Sequence, residues 1–170
     1  MTSEYGKIVH IVVIFLILKP RAIYFVRKMA QSVSTSVRLK VPYYDVDMMQ
    51  IVWHGNYLKY FDVARQALFG ERGVDLQRYM KEKGYAFPII RSIIKHISPL
   101  RFDDEFICTA ILKEATVKIV LDFEIKLISN DKVCTRGRSE QVALLVPDME
   151  MAFLIPEEIK KALFGKEESK

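Results

Sequence analysis

The sequence has 170 residues, of which 51% are hydrophobic and 28% are charged, with seven glycines and six prolines. This composition indicates one globular domain, with or without a short appendage, and excludes disordered, collagen-like and low-complexity proteins. The presence of only two cysteines excludes a scaffold that depends on several disulfides.

The net charge of +5 is distributed unevenly along the chain. Residues 1–28 contain five basic residues and one acidic residue, whereas residues 29–170 contain 21 basic and 20 acidic residues. The nearly neutral body lacks the basic surface that binding to a phosphate backbone requires. The sequence therefore disfavours nucleic acid as a partner.

Residues 1–28 form an apolar and basic leader, which we separate from a domain at 29–170. The apolar segment IVHIVVIFLIL, residues 8–18, covers about half of the ~30 Å hydrocarbon core of a membrane. Three interpretations stay open: an interfacial anchor, a targeting remnant, or translation from upstream of a native start at Met29. We expect membrane contact only through this leader. The expected location is the cytoplasm, peripheral to the inner membrane if the leader is native.

The first predicted elements are a strand and a long helix. Polar and apolar residues alternate over Ser36–Val41, which is typical of a half-buried strand. Residues 56–69 are predicted to form a helix with Asn56 as its N-cap and Gly70 at its end. A helix with so narrow a polar stripe is expected to be largely surrounded by other structure. The stripe consists of Lys59, Asp62 and Gln66.

The rest of the chain is mostly β-type. A short helix is predicted at Asp75–Lys83, closed by Gly84, and a terminal helix at Pro156–Phe164. Asn130-Asp131 is a turn signal that predicts an antiparallel hairpin. The consecutive strands predict an α+β fold with an antiparallel sheet curled around the long helix. The predicted β-type runs are Ala86–Ser98, Glu105–Thr116, Val117–Ser129 and Lys132–Val146.

The segment YDVDMMQIVWHGNY, residues 44–57, is followed by Tyr60-Phe61 and Ala64-Arg65. This pattern resembles the signature of the 4-hydroxybenzoyl-CoA thioesterase group within the hotdog-fold superfamily. It is most similar to the short bacterial acyl-CoA thioesterases encoded beside the Tol-Pal system. The resemblance covers about residues 37–164. It implies a hotdog fold, a homodimer or homotetramer, hydrolysis of acyl thioesters, and no cofactor beyond the coenzyme A of the substrate.

Thioester hydrolysis requires a carboxylate near the carbonyl carbon, and Asp47 is the candidate base or nucleophile. It also requires donors for the developing oxyanion, which free amides at a helix N-terminus can supply. The resemblance implies that His54, Gly55, Asn56 and Tyr57 form this oxyanion and substrate-binding end. The His54 imidazole is a further catalytic candidate that would orient water or Asp47.

Other titratable residues are interpreted as structural. Asp45 is interpreted as a polar loop residue, Arg65 as an ion-pair partner of Asp62 or a dimer contact, and His96 as structural or sheet-facing. Both cysteines are predicted to be small buried side chains. No metal site is expected, because Cys108 and Cys134 are far apart in the sequence and have no adjoining histidine.

The carrier of the acyl group stays open between coenzyme A and acyl carrier protein. Lys118, Arg136 and Arg138 are candidates for binding coenzyme A phosphates, but the chain lacks the arginine-rich turn of the 4-hydroxybenzoyl-CoA enzyme. The alternative function is a non-catalytic acyl-carrier or acyl-chain binding module. An apolar pocket is expected, with its acyl preference left open by the sequence. Its expected lining includes Met48, Met49, Ile51, Phe61 and residues of the β-type runs that begin at Ala86 and Glu105.

Overall fold

The structure is a computed structural model, which describes residues 33–165. The predicted leader, residues 1–28, lies outside the described residues. Within the described part of the chain, no helix is long and apolar enough to cross a membrane.

Residues 33–165 form two antiparallel sheets, three α-helices and two short 3₁₀ turns. The strands are β1 (Ser34–Lys40), β2 (Tyr85–Ala86), β3 (Ile89–His96), β4 (Glu105–Ala115), β5 (Ile119–Leu127), β6 (Val133–Gln141), β7 (Leu144–Leu145) and β8 (Glu150–Met151). The helices are α1 (Tyr57–Glu71), α2 (Leu76–Lys83) and α3 (Glu157–Phe164). The large sheet has the order β1-β4-β5-β6-β3, and the small sheet the order β2-β7-β8. These elements confirm the predicted α+β class.

Helix α1 packs against the inner face of the large sheet. Along β4, buried and more exposed residues alternate, which places one row of side chains against the helix. The Phe61 ring of α1 stacks on Phe123 of β5, with centroids 4.5 Å apart. Gly137 of β6 makes room for this ring, because a Cβ there would lie 2.3 Å from Cε2 of Phe61. The long helix is therefore fitted closely to the middle of the sheet.

The ends of the helices differ partly from the sequence prediction. Asn56 occupies the predicted N-cap position, but it has helical φ and ψ angles and its side chain caps no amide of the helix. The helix also continues past Gly70 to Glu71. The prediction for α2 is confirmed, because Asp75 accepts the amide of Arg78 at 2.9 Å and Gly84 follows with a φ of +70°.

Two of the predicted strands are interrupted. The run 86–98 is split at Pro88, which lacks an amide donor and separates β2 from β3. The run 132–146 is split after Gln141, so its end forms β7 in the small sheet. The hairpin between β5 and β6 is confirmed: Asn130 Oδ1 accepts the amide of Lys132 at 3.0 Å, and Asp131 has a φ of +55°.

Both cysteines are free and buried, as predicted. Cys108 lies in β4 and Cys134 in β6, each facing the core. Burial raises the pKa of the Cys108 thiol to about 12 and also raises the pKa of Cys134. Both side chains therefore act as small apolar core residues.

Candidate active site

A tight turn between β1 and α1 presents Asp47. Val46 and Val52 pair across the turn, and the amide of Asp47 donates to the carbonyl of Ile51 at 2.9 Å. Oδ1 of Asp47 accepts the amide of Met49 at 2.8 Å. No hydrogen bond from residues 33–165 reaches Oδ2, so this oxygen is available to a substrate or a water.

A short 3₁₀ turn, His54–Asn56, leads directly into α1. In its first hydrogen bond the amide of Asn56 donates to the carbonyl of Trp53 at 2.9 Å, so this amide is not free to donate to a substrate. The amides of His54 and Gly55 precede that bond and find no acceptor among residues 33–165. They are the two free donors at this end of the helix.

The indole of Trp53 lies over this turn. Its ring centroid is 4.7 Å from that of His54. A Cβ on Gly55 would lie 2.0 Å from Cζ3 of Trp53, so the indole can rest there only above a glycine. Glycine is thus required for close packing at the position of a predicted oxyanion donor.

A cavity of about 320 Å³ lies beside Asp47 and the helix start. It brings the Asp47 turn together with the beginning of α1, which the sequence prediction required. Its third wall is the end of β3 and the residues that follow, which belong to the run from Ala86 that was expected to line the pocket, whereas no residue of the run from Glu105 lines it. The lining residues are Asp47, Met49, Ile51, Val52, His54, Tyr57, His96, Ile97, Ser98 and Pro99.

The predicted pocket lining is therefore only partly confirmed. Met49 and Ile51 line the cavity, but Met48 is 98% exposed on the outside of the turn. Phe61 belongs to the core, where it stacks on Phe123.

His96 is the site residue that sequence reasoning missed. In the sheet it pairs with Thr135, which is fully buried, so both face α1. Its ring meets the Tyr57 ring edge-on, with centroids 4.7 Å apart. The strand register carries the signal, which the flanking residues Lys95 and Ile97 do not reveal.

Two rings at the cavity wall, His96 and Tyr57, are shifted toward their neutral forms. Desolvation, and then the positive charge of His54, lower the pKa of His96 below its ordinary value of 6.5. Burial raises the pKa of Tyr57, whose hydroxyl accepts the amide of Leu100 at 3.3 Å. The wall therefore presents a neutral imidazole and a neutral phenol.

Asp45 is buried rather than displayed on a polar loop, so that interpretation was wrong. Its carboxylate forms an ion pair with Lys59 and accepts the hydroxyl of Tyr60 at 2.7 Å. Its carbonyl accepts the amide of Trp53 at 2.9 Å and the side-chain amide of Asn56 at 2.8 Å. Asp45 therefore fastens the loop to the start of α1.

Arg65 forms the predicted ion pair with Asp62. Its Nη2 also donates to Ser139 Oγ at 3.1 Å, and the guanidinium lies 5.7 Å from the centre of the Phe123 ring. Burial lowers the pKa of Arg65. Because it faces the core and does not line the cavity, its observed contacts are structural.

The three cations predicted for coenzyme A all have carboxylate partners. Arg138 donates to both oxygens of Asp122 at 2.6 and 3.1 Å, Arg136 donates to Glu124 at 2.9 Å, and Lys118 donates to Glu140 at 2.7 Å. None of them lines the cavity beside Asp47. Within residues 33–165, no group of three metal-ligating side chains is placed to hold an ion.

Comparison with known proteins identifies relatives of this fold. The Bacillus subtilis protein YneP, which carries a provisional acyl-CoA thioesterase name, is 35% identical over 66 residues, or 39% of this chain and 47% of that protein. The chain spans about half the length of the curated relatives it matches.

Solved structures match more of the chain. The 1,4-dihydroxy-2-naphthoyl-CoA thioesterase Slr0204 from Synechocystis superposes with a TM-score of 0.72 at 17% identity, covering 80% of this chain and 99% of that one. The 4-hydroxybenzoyl-CoA thioesterase from Pseudomonas sp. strain CBS-3 has a TM-score of 0.67 at 18% identity, covering 76% and 98%. These matches confirm the hotdog fold. Residues 41–163 match the profile of the Thioesterase-like superfamily, and the chain belongs to that family.

Proposed function

We propose that this protein hydrolyses acyl-CoA thioesters to a free acid and coenzyme A. The observation that carries the proposal is that Asp47 and His54 line one cavity, at the turn where the amides of His54 and Gly55 find no acceptor among residues 33–165. The carboxylate acts as the base for water or attacks the carbonyl carbon itself. The two amides take the negative charge that develops on the carbonyl oxygen.

The rest of the cavity fits an acyl group. Its lining is largely apolar, with Ile51, Val52, Ile97 and Pro99 among its residues. The exposed His54 imidazole stands at the mouth, where it can orient water. The similarity of residues 44–65 to the Tol-Pal-associated branch supports an ordinary acyl-CoA as the substrate.

Lys118, Arg136 and Arg138 remain our candidates for the coenzyme A phosphates. Each would have to exchange its carboxylate partner for a phosphate. Acyl carrier protein is the alternative carrier, and turnover of the same acyl group on coenzyme A and on acyl carrier protein separates the two. Loss of turnover on acyl-CoA with Arg136→Glu supports binding of coenzyme A at this face.

We also propose that the active form is a homodimer joined at β3. Of the described strands only β6 pairs with β3, so its other edge presents free amides and carbonyls. Apolar side chains at and beside this strand are 42–54% exposed: Ile89, Ile90, Ile93 and Ile97. Because His96 ends the same strand, a second copy would lie beside the cavity. Sedimentation of Ile90→Lys/Ile93→Lys, compared with wild type, tests the dimer.

The activity is tested with acetyl-, hexanoyl-, benzoyl- and palmitoyl-CoA, with a thiol-reactive dye to detect released coenzyme A. Wild type should turn over at least one of them, and Asp47→Asn should retain less than about one hundredth of that rate. Asp131→Asn is the matched control, because its side chain is 87% exposed in a turn far along the sequence. If acyl-CoAs bind without turnover, the non-catalytic acyl-binding module is correct instead.

A further inference from the structure

His96 is held rigidly at the cavity. It ends β3, and the next two amides, those of Ile97 and Ser98, both donate to the carbonyl of Cys134, at 2.8 and 3.0 Å. One face of its ring is set by the edge-on contact with Tyr57. The imidazole is therefore a positioned part of the cavity wall.

Both imidazole nitrogens of His96 are available to a ligand. Within residues 33–165, neither of them has a hydrogen-bond partner in the protein. The groups around it are the Tyr57 ring of α1, Thr135 of β6, and His54 and Asp47, which line the same cavity. Of these, the imidazolium of His54 acts against protonation of His96. The side chain is exposed, so both nitrogens face solvent or a bound ligand rather than another group of the protein.

We propose that His96 is a second catalytic residue, the base that accepts a proton from the hydrolytic water. This inference rests on the proposed thioester hydrolysis, and it assigns the role of nucleophile to Asp47. Asp47 needs no proton acceptor for that role, because its free Oδ2 can bond directly to the carbonyl carbon.

The reaction then has two steps. In the first step, Oδ2 of Asp47 bonds to the acyl carbon, the carbon–sulfur bond breaks, and coenzyme A leaves as a thiolate. In the second step, water adds to the acyl carbon, its proton passes to the neutral imidazole of His96, and the bond to Asp47 breaks. The imidazolium finally gives its proton to the thiolate. The sum is one thioester and one water converted to one acid and one thiol.

The first test is the variant His96→Gln, measured with the best acyl-CoA of the panel. Removal of a general base is expected to lower kcat by about a hundredfold or more. Asp131→Asn is again the control, because its side chain is 87% exposed in the turn between β5 and β6. Turnover of His96→Gln within threefold of wild type overturns the proposal. The midpoints of urea unfolding of both variants show whether they fold.

The second test separates the two steps. In His96→Gln, release of thiol should show a rapid first phase of about one equivalent per active chain, and intact mass should show an acyl adduct that Asp47→Asn abolishes. A slow variant without burst or adduct overturns the proposal, because His96 would then act before the thiol leaves. If wild type itself turns over no acyl-CoA, the proposed function fails, and this inference fails with it.

A pH profile gives an independent readout. Because the neutral imidazole is required, kcat of wild type should fall as the pH drops through the pKa of His96, below 6.5. His96→Gln should lose that acidic limb. A limb that persists unchanged in the variant belongs to another group and contradicts the assignment.

Discussion

The hydroxyl of Tyr60 donates a 2.7 Å hydrogen bond to Oδ2 of Asp45 in the interior of the protein, where Asp45 is only 2% exposed. Burial, and then this hydrogen bond, raise the pKa of the Tyr60 phenol. Lys59 of the same helix binds the other carboxylate oxygen. The Asp45 side chain thereby joins the loop that carries Asp47 to helix α1, which follows the free amides directly.

Asp45→Ala should destabilise the protein by about 2–4 kcal/mol, because it removes a buried ion-pair partner and leaves the Tyr60 hydroxyl without an acceptor. Tyr60→Phe should cost less, about 1–2 kcal/mol. Urea unfolding measures both. Arg38→Ala is the control, because its ion pair with Glu105 is exposed and should contribute under about 0.5 kcal/mol. Equal losses for Asp45→Ala and the control would contradict this account.

Two glycines should respond in opposite ways to alanine. At Gly137 the new methyl group would collide with Phe61, so Gly137→Ala should lose about 1–3 kcal/mol. At Gly70 a Cβ meets nothing within 4 Å, and this residue lies within α1. Gly70→Ala should therefore gain about 0.5–1 kcal/mol through helix propensity. Thermal unfolding of the two variants checks the prediction, and a stabilising Gly137→Ala would refute the close packing of helix on sheet.

Gly55→Ala should lower kcat by about tenfold to a hundredfold, because the methyl group displaces Trp53 and shifts the free amides. Trp53 is the chain's single tryptophan, so its fluorescence reports directly on the displacement. In the double variant Gly55→Ala/Trp53→Ala the clash is absent, and part of the activity should return. Unchanged emission and activity in Gly55→Ala would show that the indole does not rest on this glycine.

The pKa of His96, followed by NMR titration of its ring proton, should lie below 6.5. His54→Gln removes a nearby positive charge, which favours the imidazolium form, so the pKa of His96 should rise in that variant. Desolvation remains, and the value should stay below that of an exposed histidine. A fall in the pKa of His96, or no change, would show that the two rings do not interact.

Much of the fold could be predicted because its cues are local. The alternation in β1, the capping Asp75 and Gly84, and the Asn130-Asp131 turn each act within a few residues, and each is present in the structure. The small sheet was missed because β2, β7 and β8 have two residues each, too few for periodicity to register.

The part of the candidate site that comes from one continuous segment could be predicted from the sequence. Asp47, His54 and Tyr57 lie within eleven residues, and the structure brings them to one cavity. His96 comes from a strand far along the chain, and its direction depends on its pairing with Thr135 in β6. Asp45 was misread for a related reason: its partners Lys59 and Tyr60 lie on the helix, and only folding brings them to it.

The burial of Cys108 and Cys134 has a practical consequence for the chemistry proposed here. A hydrolase that liberates a thiol is usually followed with reagents that also label its own thiols. In this protein both thiols are buried and their pKa values are raised, so the folded protein should react very little with such a reagent and give almost no background colour. A colour signal as small as one sulfur per chain can then be ascribed to coenzyme A alone.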